Sequence, residues 1–201
     1  MMALIVKNPP ISEPVSLTEA KNYLRITDSD DDALINSLVT AIRQKAETWT
    51  RRLLITQSWT LWLDSVPDGP MLSIPRSPLQ SVTHIKSYDS ANTVTTFDSN
   101  KYLVDDASTP GRIGLNEGYT WPNALRKMNA LEIEFVAGFG DESSVPEPIK
   151  QGILQWVKLL FANKSKLYEP DESTSGLLEL NRLLIPPAVM ALWEPYRVFK
   201  I

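Results

Sequence analysis

The placement of proline is the feature of this sequence that most constrains its fold. The chain has 15 prolines among 201 residues, yet none falls between Pro14 and Pro67 or between Pro148 and Pro170. Proline lacks a backbone donor and clashes with the preceding turn, so long helices can form only where it is absent. The sequence therefore predicts helices towards both ends of the chain and a different kind of structure between them.

Two helices are predicted in the first proline-free interval. Ser16 and Glu19 have the spacing of a capping box, in which the serine hydroxyl accepts a hydrogen bond from the N–H of Glu19. A short helix to about Leu24 follows. The acidic run at residues 27–32 then suits the positive end of a second helix dipole.

The second helix is predicted from an apolar stripe whose members recur every three or four residues, and Arg43 and Glu47 are assigned to its solvent-facing side. The stripe consists of Leu34, Leu38, Ile42, Ala46, Trp49 and Leu53, and it is widened by Ile35 and Val39.

A helix beginning at about residue 146 is predicted in the second interval, and its apolar face is unusually wide. That width indicates contact with more than one neighbour, and another copy of the chain could supply part of it. The polar tract that follows ends in a leucine-rich segment that a monomer would have to bury. The predicted subunit-interface residues are Leu154, Leu159, Leu177, Leu178, Leu180, Leu183 and Leu184.

Short β-branched and aromatic segments bounded by turn residues fill the middle of the chain. Strands are predicted at residues 56–63, 71–74, 82–88, 93–97, 102–104, 112–115 and 131–136. The predicted class is α+β, with a helical bundle formed by the N-terminal and C-terminal helices and an inserted antiparallel β-rich module. The predicted parts are an N-terminal helical part at 1–54, a β-rich insertion at 55–145, and a C-terminal helix and tail at 146–201.

Composition and charge exclude several classes of protein. The net charge is −4, against the basic excess of proteins that grip nucleic acid. Zero cysteines exclude disulfide frameworks and thiol catalysis. The apolar run at residues 3–6 is too short for a signal sequence, and no stretch approaches the ~20 residues that span a bilayer. We expect a soluble, non-secreted protein that binds no membrane.

No catalytic, metal or cofactor site is predicted. His84 is the single histidine, and one histidine cannot form a histidine-rich metal site. Glu132 and Glu134 alternate with apolar residues, which is the pattern of a solvated strand face. Neither an enzyme nor a bound cofactor is expected; unassigned carboxylates are the only support for catalysis.

Three motif-like features have simpler structural explanations. The acidic run is not a calcium loop, because Ala33 and Val39 replace the required glycine and glutamate. Gly138 and Gly140 lack the third glycine of a dinucleotide fingerprint and indicate a turn at a strand end. The basic pair at residues 51–52 complements a helix carboxyl end.

A binding module remains open as an alternative function. Trp59, Trp62 and Trp121 lie in the predicted β-rich part and could recognise carbohydrate or peptide if they were exposed together. Trp62 shares a strand face with Ser58 and Thr60, so partial exposure is expected there.

Eight motifs, in order and spacing along nearly the whole chain, resemble the head–tail connector (adaptor, or head-completion) family of tailed bacteriophages, in its longer branch with a β-rich insertion. They are residues 13–26 (EPVSLTEAKNYLRI), 30–35 (DDDALI), 52–57 (RLLITQ), 74–82 (IPRSPLQSV), 110–113 (PGRI), 137–140 (AGFG), 145–149 (VPEPI) and 195–197 (PYR).

The resemblance implies a structural protein of the virion neck, assembled in the host cytoplasm. It implies a ring, commonly of twelve subunits, that binds beneath the portal protein and extends the channel for genome DNA without sequence-specific binding. The ring would offer a platform to a tail terminator or stopper protein. The residues implied to bind the portal are Pro195, Tyr196, Arg197, Val198, Phe199, Lys200 and Ile201.

Overall fold

A computed structural model describes residues 1–163 and 184–199 of the chain. Within those residues there are four α-helices and eight β-strands, and every strand pair is antiparallel. The predicted α+β class is confirmed. The chain divides into two compact units: unit 1 is Met1–Ile11 with Ile55–Phe139, and unit 2 is Ser12–Leu54 with Gly140–Ile201.

The elements are named in chain order. The strands are β1 Met2–Asn8, β2 Gln57–Leu63, β3 Met71–Ser73, β4 Leu79–Tyr88, β5 Val94–Phe97, β6 Tyr102–Asp105, β7 Arg112–Leu115 and β8 Leu131–Ala137. The helices are α1 Leu17–Leu24, α2 Asp32–Thr50, α3 Glu147–Ala162 and α4 Pro187–Trp193. Single 3-10 turns occur at Ser99–Lys101, Glu142–Ser144 and Glu194–Tyr196.

Unit 1 contains two sheets. The larger has the strand order β1-β2-β8-β4-β5, and the smaller has the order β3-β7-β6. Side chains alternate along β2 as predicted, with Trp59 and Leu61 buried and Thr60 and Trp62 half-buried on the opposite side. Leu61 pairs in register with the fully buried Ile133 of β8. The side of the larger sheet that bears Leu61 therefore forms the core, and we call the opposite side the polar face.

The strand β1 was not predicted, because residues 2–8 fell within the predicted N-terminal helical part. Its residues pair antiparallel with β2, and Ile5 lies opposite Thr60. As an edge strand it leaves Ile5 and Val6 exposed. A strand exposed on both sides shows no apolar–polar alternation, so periodicity does not detect it.

Unit 2 is helical, with α2 and α3 packed together, α1 against both, and α4 against α3. The predicted cap is confirmed, since Ser16 Oγ accepts a hydrogen bond from the N–H of Glu19 at 3.1 Å. The helix α2 ends at Thr50, where Arg51 has a left-handed φ of 59°. Leu53 is therefore buried beyond the helix end and is not part of its stripe.

Only part of the predicted apolar stripe of α2 is buried. The structure buries Ile35 and Val39 together with Ile42 and Ala46, while Leu34 and Leu38 are half-buried. The stripe in the sequence is wide enough to fit either set, and packing against α3 selects between them.

The assignment of Arg43 and Glu47 to the solvent-facing side of α2 was wrong. These residues are 5% and 8% exposed. Arg43 Nε donates to Glu13 at 2.7 Å and Nη1 donates to Glu47 Oε2 at 2.8 Å. Glu47 Oε1 also accepts from the N–H of Leu54 at 3.0 Å. The two charges can be buried because each is paired and hydrogen-bonded.

Candidate functional site

The residues at 184–199, which we call the carboxyl-terminal segment, are attached to unit 2 through Trp193. This side chain is fully buried, and its Nε1 donates a hydrogen bond to the carbonyl oxygen of Ile149 at 3.2 Å. Its ring lies 6.0 Å from that of Trp156 and 6.4 Å from that of Trp49. Trp193 thus joins α4 to both long helices of its unit.

A glycine in the middle of α3 makes this contact possible. A Cβ at Gly152 would lie 2.2 Å from Nε1 of Trp193, closer than any non-bonded contact allows. Glycine inside a helix costs about 1 kcal/mol relative to alanine. That cost indicates a packing role for Gly152, which is to admit the indole.

The backbone after α4 completes the carboxyl end of α2. The N–H of Val198 donates to the carbonyl oxygen of Thr50 at 2.9 Å, and Arg52 Nε donates to the carbonyl oxygen of Tyr196 at 2.6 Å. The last carbonyls of a helix have no partner within the helix, so the first of these bonds satisfies one of them. Burial lowers the pKa of Arg52.

Several side chains of the carboxyl-terminal segment, by contrast, point outward. Pro195 and Arg197 are exposed, and Phe199 is 62% exposed. The Arg197 guanidinium lies 4.9 Å from the ring centroid of Trp49 and 5.3 Å from that of Phe199. Five of the seven predicted portal-binding residues therefore lie on one hydrogen-bonded segment, and Lys200 and Ile201 lie outside the described residues.

The predicted subunit-interface residues are distributed differently. Leu154 is 3% exposed in the interior of its own unit, so it has little area to offer a neighbouring subunit. Leu159 and Leu184 are 46% and 56% exposed. The other four members of the set lie outside the described residues: Leu177, Leu178, Leu180 and Leu183.

A cluster of ionisable side chains occupies the polar face of the larger sheet in unit 1. His84 Nε2 lies 2.9 Å from Glu132 Oε1, and His84 Nδ1 lies 3.8 Å from Glu134 Oε2. Lys7 Nζ lies 2.5 Å from Glu134 Oε2. The prediction of a solvated strand for Glu132 and Glu134 was wrong, because their side chains are only 14% and 10% exposed.

Tyr88 adds a further hydrogen bond to this cluster, from its hydroxyl to Glu132 Oε2. Burial favours the neutral form of Glu132, but hydrogen bonds from Tyr88 and His84 outweigh it, so the pKa of Glu132 is lowered. The hydrogen bond to Glu132 raises the pKa of Tyr88. Glu132 is thus held as a carboxylate between two donors.

The three tryptophans of the alternative binding site do not form an exposed group. Trp59 and Trp121 are each 9% exposed. The indole N–H of Trp121 donates to the carbonyl oxygen of Gly69 at 2.9 Å, and Trp62 packs on Tyr88 with ring centroids 5.6 Å apart. These contacts are typical of side chains packed inside a protein. The three tryptophans therefore do not form the exposed surface that a carbohydrate- or peptide-binding module would need.

Sequence reasoning missed Trp193 as the anchor of the carboxyl-terminal segment. The available signal was Gly152 in the interior of α3, where a glycine indicates close approach of a bulky group.

Among the residues that the structure describes, no helix is both long enough and apolar enough to cross a membrane.

Comparisons with known proteins agree with this architecture. Residues 14–109 match the family described as phage gp6-like head-tail connector protein. No curated protein sequence matches the chain.

Three solved structures are similar to this chain in fold. A chain from the neck of an empty gene transfer agent (GTA) particle, computed with C6 symmetry, is 23% identical with a TM-score of 0.74, covering 100% of this chain and 97% of that one. A chain from the virion of a native GTA particle is 20% identical with a TM-score of 0.75, covering 98% and 96%. A chain from the neck of a native GTA particle, computed with C12 symmetry, is 22% identical with a TM-score of 0.66, covering 100% and 97%.

Proposed function

We propose that this chain, a structural protein of the phage neck, forms a ring beneath the portal. The proposal starts from the match of residues 14–109 to the phage head–tail connector family, which confirms the resemblance drawn from the motifs. The ring extends the channel through which genome DNA passes. Its other side provides the platform to which a terminator or stopper protein of the tail attaches. The protein acts by assembly, and we assign it no catalytic step.

Exposed apolar residues of unit 2 support ring formation. Neighbours in a ring meet through two different surfaces of the same subunit, so each subunit needs two adhesive faces. Leu159 near the end of α3 and Leu184 before α4 are large apolar side chains with about half of their surface exposed. We assign these two residues, together with the leucines at positions 177, 178, 180 and 183, to contacts between subunits.

Portal binding is assigned to the exposed side chains of the carboxyl-terminal segment. The observation that supports it most directly is Phe199, which is 62% exposed although the backbone beside it is hydrogen-bonded to α2. A side chain presented on a fixed backbone loses less conformational entropy on binding than one on a free chain. Aromatic and arginine side chains, such as Phe199 and Arg197, are enriched at protein interfaces.

The charge of the chain suits passage of DNA. Each lysine or arginine that neutralises a phosphate adds salt-dependent affinity, which would retard a translocating genome. The chain carries a net charge of −4. We therefore propose that DNA moves through the ring without being held, and we assign the ring no sequence-specific contact with it.

Binding of a Phe199→Ala variant to isolated portal rings tests the proposal. Phe199 contacts Arg197 but is largely exposed, so its removal should leave the fold intact. We expect affinity for the portal to fall by about tenfold or more. Leu103→Ala is the matched control, since Leu103 is 68% exposed in unit 1. If Phe199→Ala completes heads and yields tailed particles as well as the wild type does, the assignment of the carboxyl-terminal segment is refuted.

A further inference from the structure

We propose that His84, Glu132 and Glu134 form a binding site for one zinc ion. The three residues lie on the polar face of the larger sheet in unit 1, and the function proposed above assigns them no role. One ligand atom from each residue can be chosen so that all three lie within 4.8 Å of one another.

The site is built on two adjacent strands in the interior of the sheet. His84 of β4 lies directly opposite Glu134 of β8, and Glu132 lies two residues along the same strand. Residues two apart on a strand share a face, so the register of β4 with β8 places all three side chains together. Glu132 and Glu134 lie on β8, which is paired with β2 on one side and with β4 on the other.

The distances are close to those of a zinc site. Zinc binds histidine nitrogen and carboxylate oxygen at about 2.0–2.2 Å, which places the ligands of a tetrahedral ion about 3.4 Å apart. His84 Nδ1 and Glu134 Oε2 are 3.8 Å apart. Glu132 Oε1 lies 2.9 Å from the other ring nitrogen, so the Glu132 side chain has to turn towards Nδ1 when the ion binds, and water would take the fourth position.

Charge and burial favour a divalent ion. The side chains of His84, Glu132 and Glu134 are 19%, 14% and 10% exposed, so much of the cost of removing them from water has already been met in folding. Two carboxylates balance the charge of the ion. One imidazole with two carboxylates suits zinc better than calcium or magnesium, which prefer oxygen ligands alone.

Lys7 is the competing cation at this site. Its ammonium pairs with Glu134, but its own side chain is 50% exposed, so it can turn into solvent when an ion binds. Lys86, which lies opposite Glu132 on β4, and Tyr88 also approach the cluster. Removal of the Lys7 charge should therefore strengthen metal binding.

Zinc chloride titrated into the full chain tests the proposal by calorimetry and by NMR of ¹⁵N-labelled histidine. The chain contains one histidine, so every imidazole signal arises from His84. We expect one zinc ion per chain and a large shift of one ring nitrogen. Glu132→Gln and His84→Ala should weaken binding by more than about tenfold, and Lys7→Met should strengthen it.

Glu117→Gln is the matched control, because Glu117 is an exposed glutamate of the same unit. Should a variant fail to fold, the wild-type imidazole signal decides the question alone. If calorimetry detects no heat of zinc binding and the imidazole resonances of His84 do not shift, the proposal is overturned. Binding that is equally tight in His84→Ala would overturn it too, since the ion would then lie elsewhere.

Discussion

The indole N–H of Trp193 donates a hydrogen bond to the carbonyl oxygen of Ile149, and this bond joins the carboxyl-terminal segment to the first turn of α3. Gly152 lies one turn further along the same helix and leaves the space that the ring occupies. The segment proposed to bind the portal is therefore held by the core of unit 2, and its position depends on that core.

Removal of the anchor should destabilise unit 2 strongly. Truncation of a buried tryptophan to alanine costs about 3–5 kcal/mol, and we expect that loss for Trp193→Ala in urea unfolding. Met190→Ala on the same helix, at a residue that is 36% exposed, should cost no more than about 1 kcal/mol. Equal losses for the two variants would show that Trp193 is not the anchor.

Gly152→Ala tests the same contact from α3. Alanine is the better helix former, so an exposed glycine would gain about 1 kcal/mol from the change. At Gly152 the added methyl group would overlap Trp193, so we expect lower thermal stability and altered near-ultraviolet circular dichroism of the tryptophans. An increase in melting temperature would contradict the packing described.

The buried pair of Arg43 and Glu47 should be costly to break on one side. Arg43→Met removes the guanidinium that donates to the buried Glu47 carboxylate, and the loss of one partner of a buried ion pair costs about 3–5 kcal/mol. Glu47→Gln in that background removes the charge but keeps an oxygen for the N–H of Leu54. The double variant should therefore be more stable than Arg43→Met alone in chemical denaturation, and a double variant that is less stable would refute the argument.

Asp105 gives unit 1 a defined response to acid. Hydrogen bonds from Ser108 and Arg112 lower the pKa of Asp105 from 3.8 to about 2. Because its pKa is depressed in the folded state, its stabilising contribution is complete above about pH 4 and is lost as pH falls towards 2. Asp105→Asn should melt below the wild type at pH 7 and match it near pH 2.

The difference in melting temperature between Asp105→Asn and the wild type at pH 7 should shrink in high salt. The Asp105 and Arg112 side chains are 33% and 44% exposed, so salt screens their interaction. Melting curves that differ by the same amount from pH 7 to pH 2 would show that the carboxylate contributes nothing through its charge.

Acrylamide quenching of tryptophan fluorescence tests the alternative of a binding module. All six tryptophans lie in the described residues, and each is buried or half-buried. Quenching in the native state should therefore be much weaker than in urea, with Trp62 and Trp49 responsible for most of what remains. If quenching in the native state were as strong as in the unfolded chain, the tryptophans would be exposed to solvent, and the binding module would again be a candidate function.

Local patterns predicted much of this fold because they are set by neighbours in sequence. The alternation along β2 and the cap at Ser16 depend only on residues a few positions away, and both are confirmed. The burial of Arg43 could not be read from periodicity, because a charged residue on a helix looks solvent-facing until its partner Glu13 is placed.

The cluster around His84 and the anchoring of the carboxyl-terminal segment by Trp193 both depend on tertiary structure. His84 and Glu134 are 50 positions apart and meet only through the register of β4 with β8. Trp193 and Gly152 meet only when α4 packs on α3. A single sequence contains the residue types for both arrangements, but no local pattern states which residues will be adjacent.

The central claim is ring formation beneath the portal, and the mass of the purified protein in solution tests it most directly. The protein would be measured alone and then after mixing with portal rings from its own phage. We predict that the 22.6 kDa chain assembles into a ring, either by itself or on the portal, and sediments with the portal in the mixture. A protein that remains a monomer and leaves the portal unchanged in mass would contradict the account.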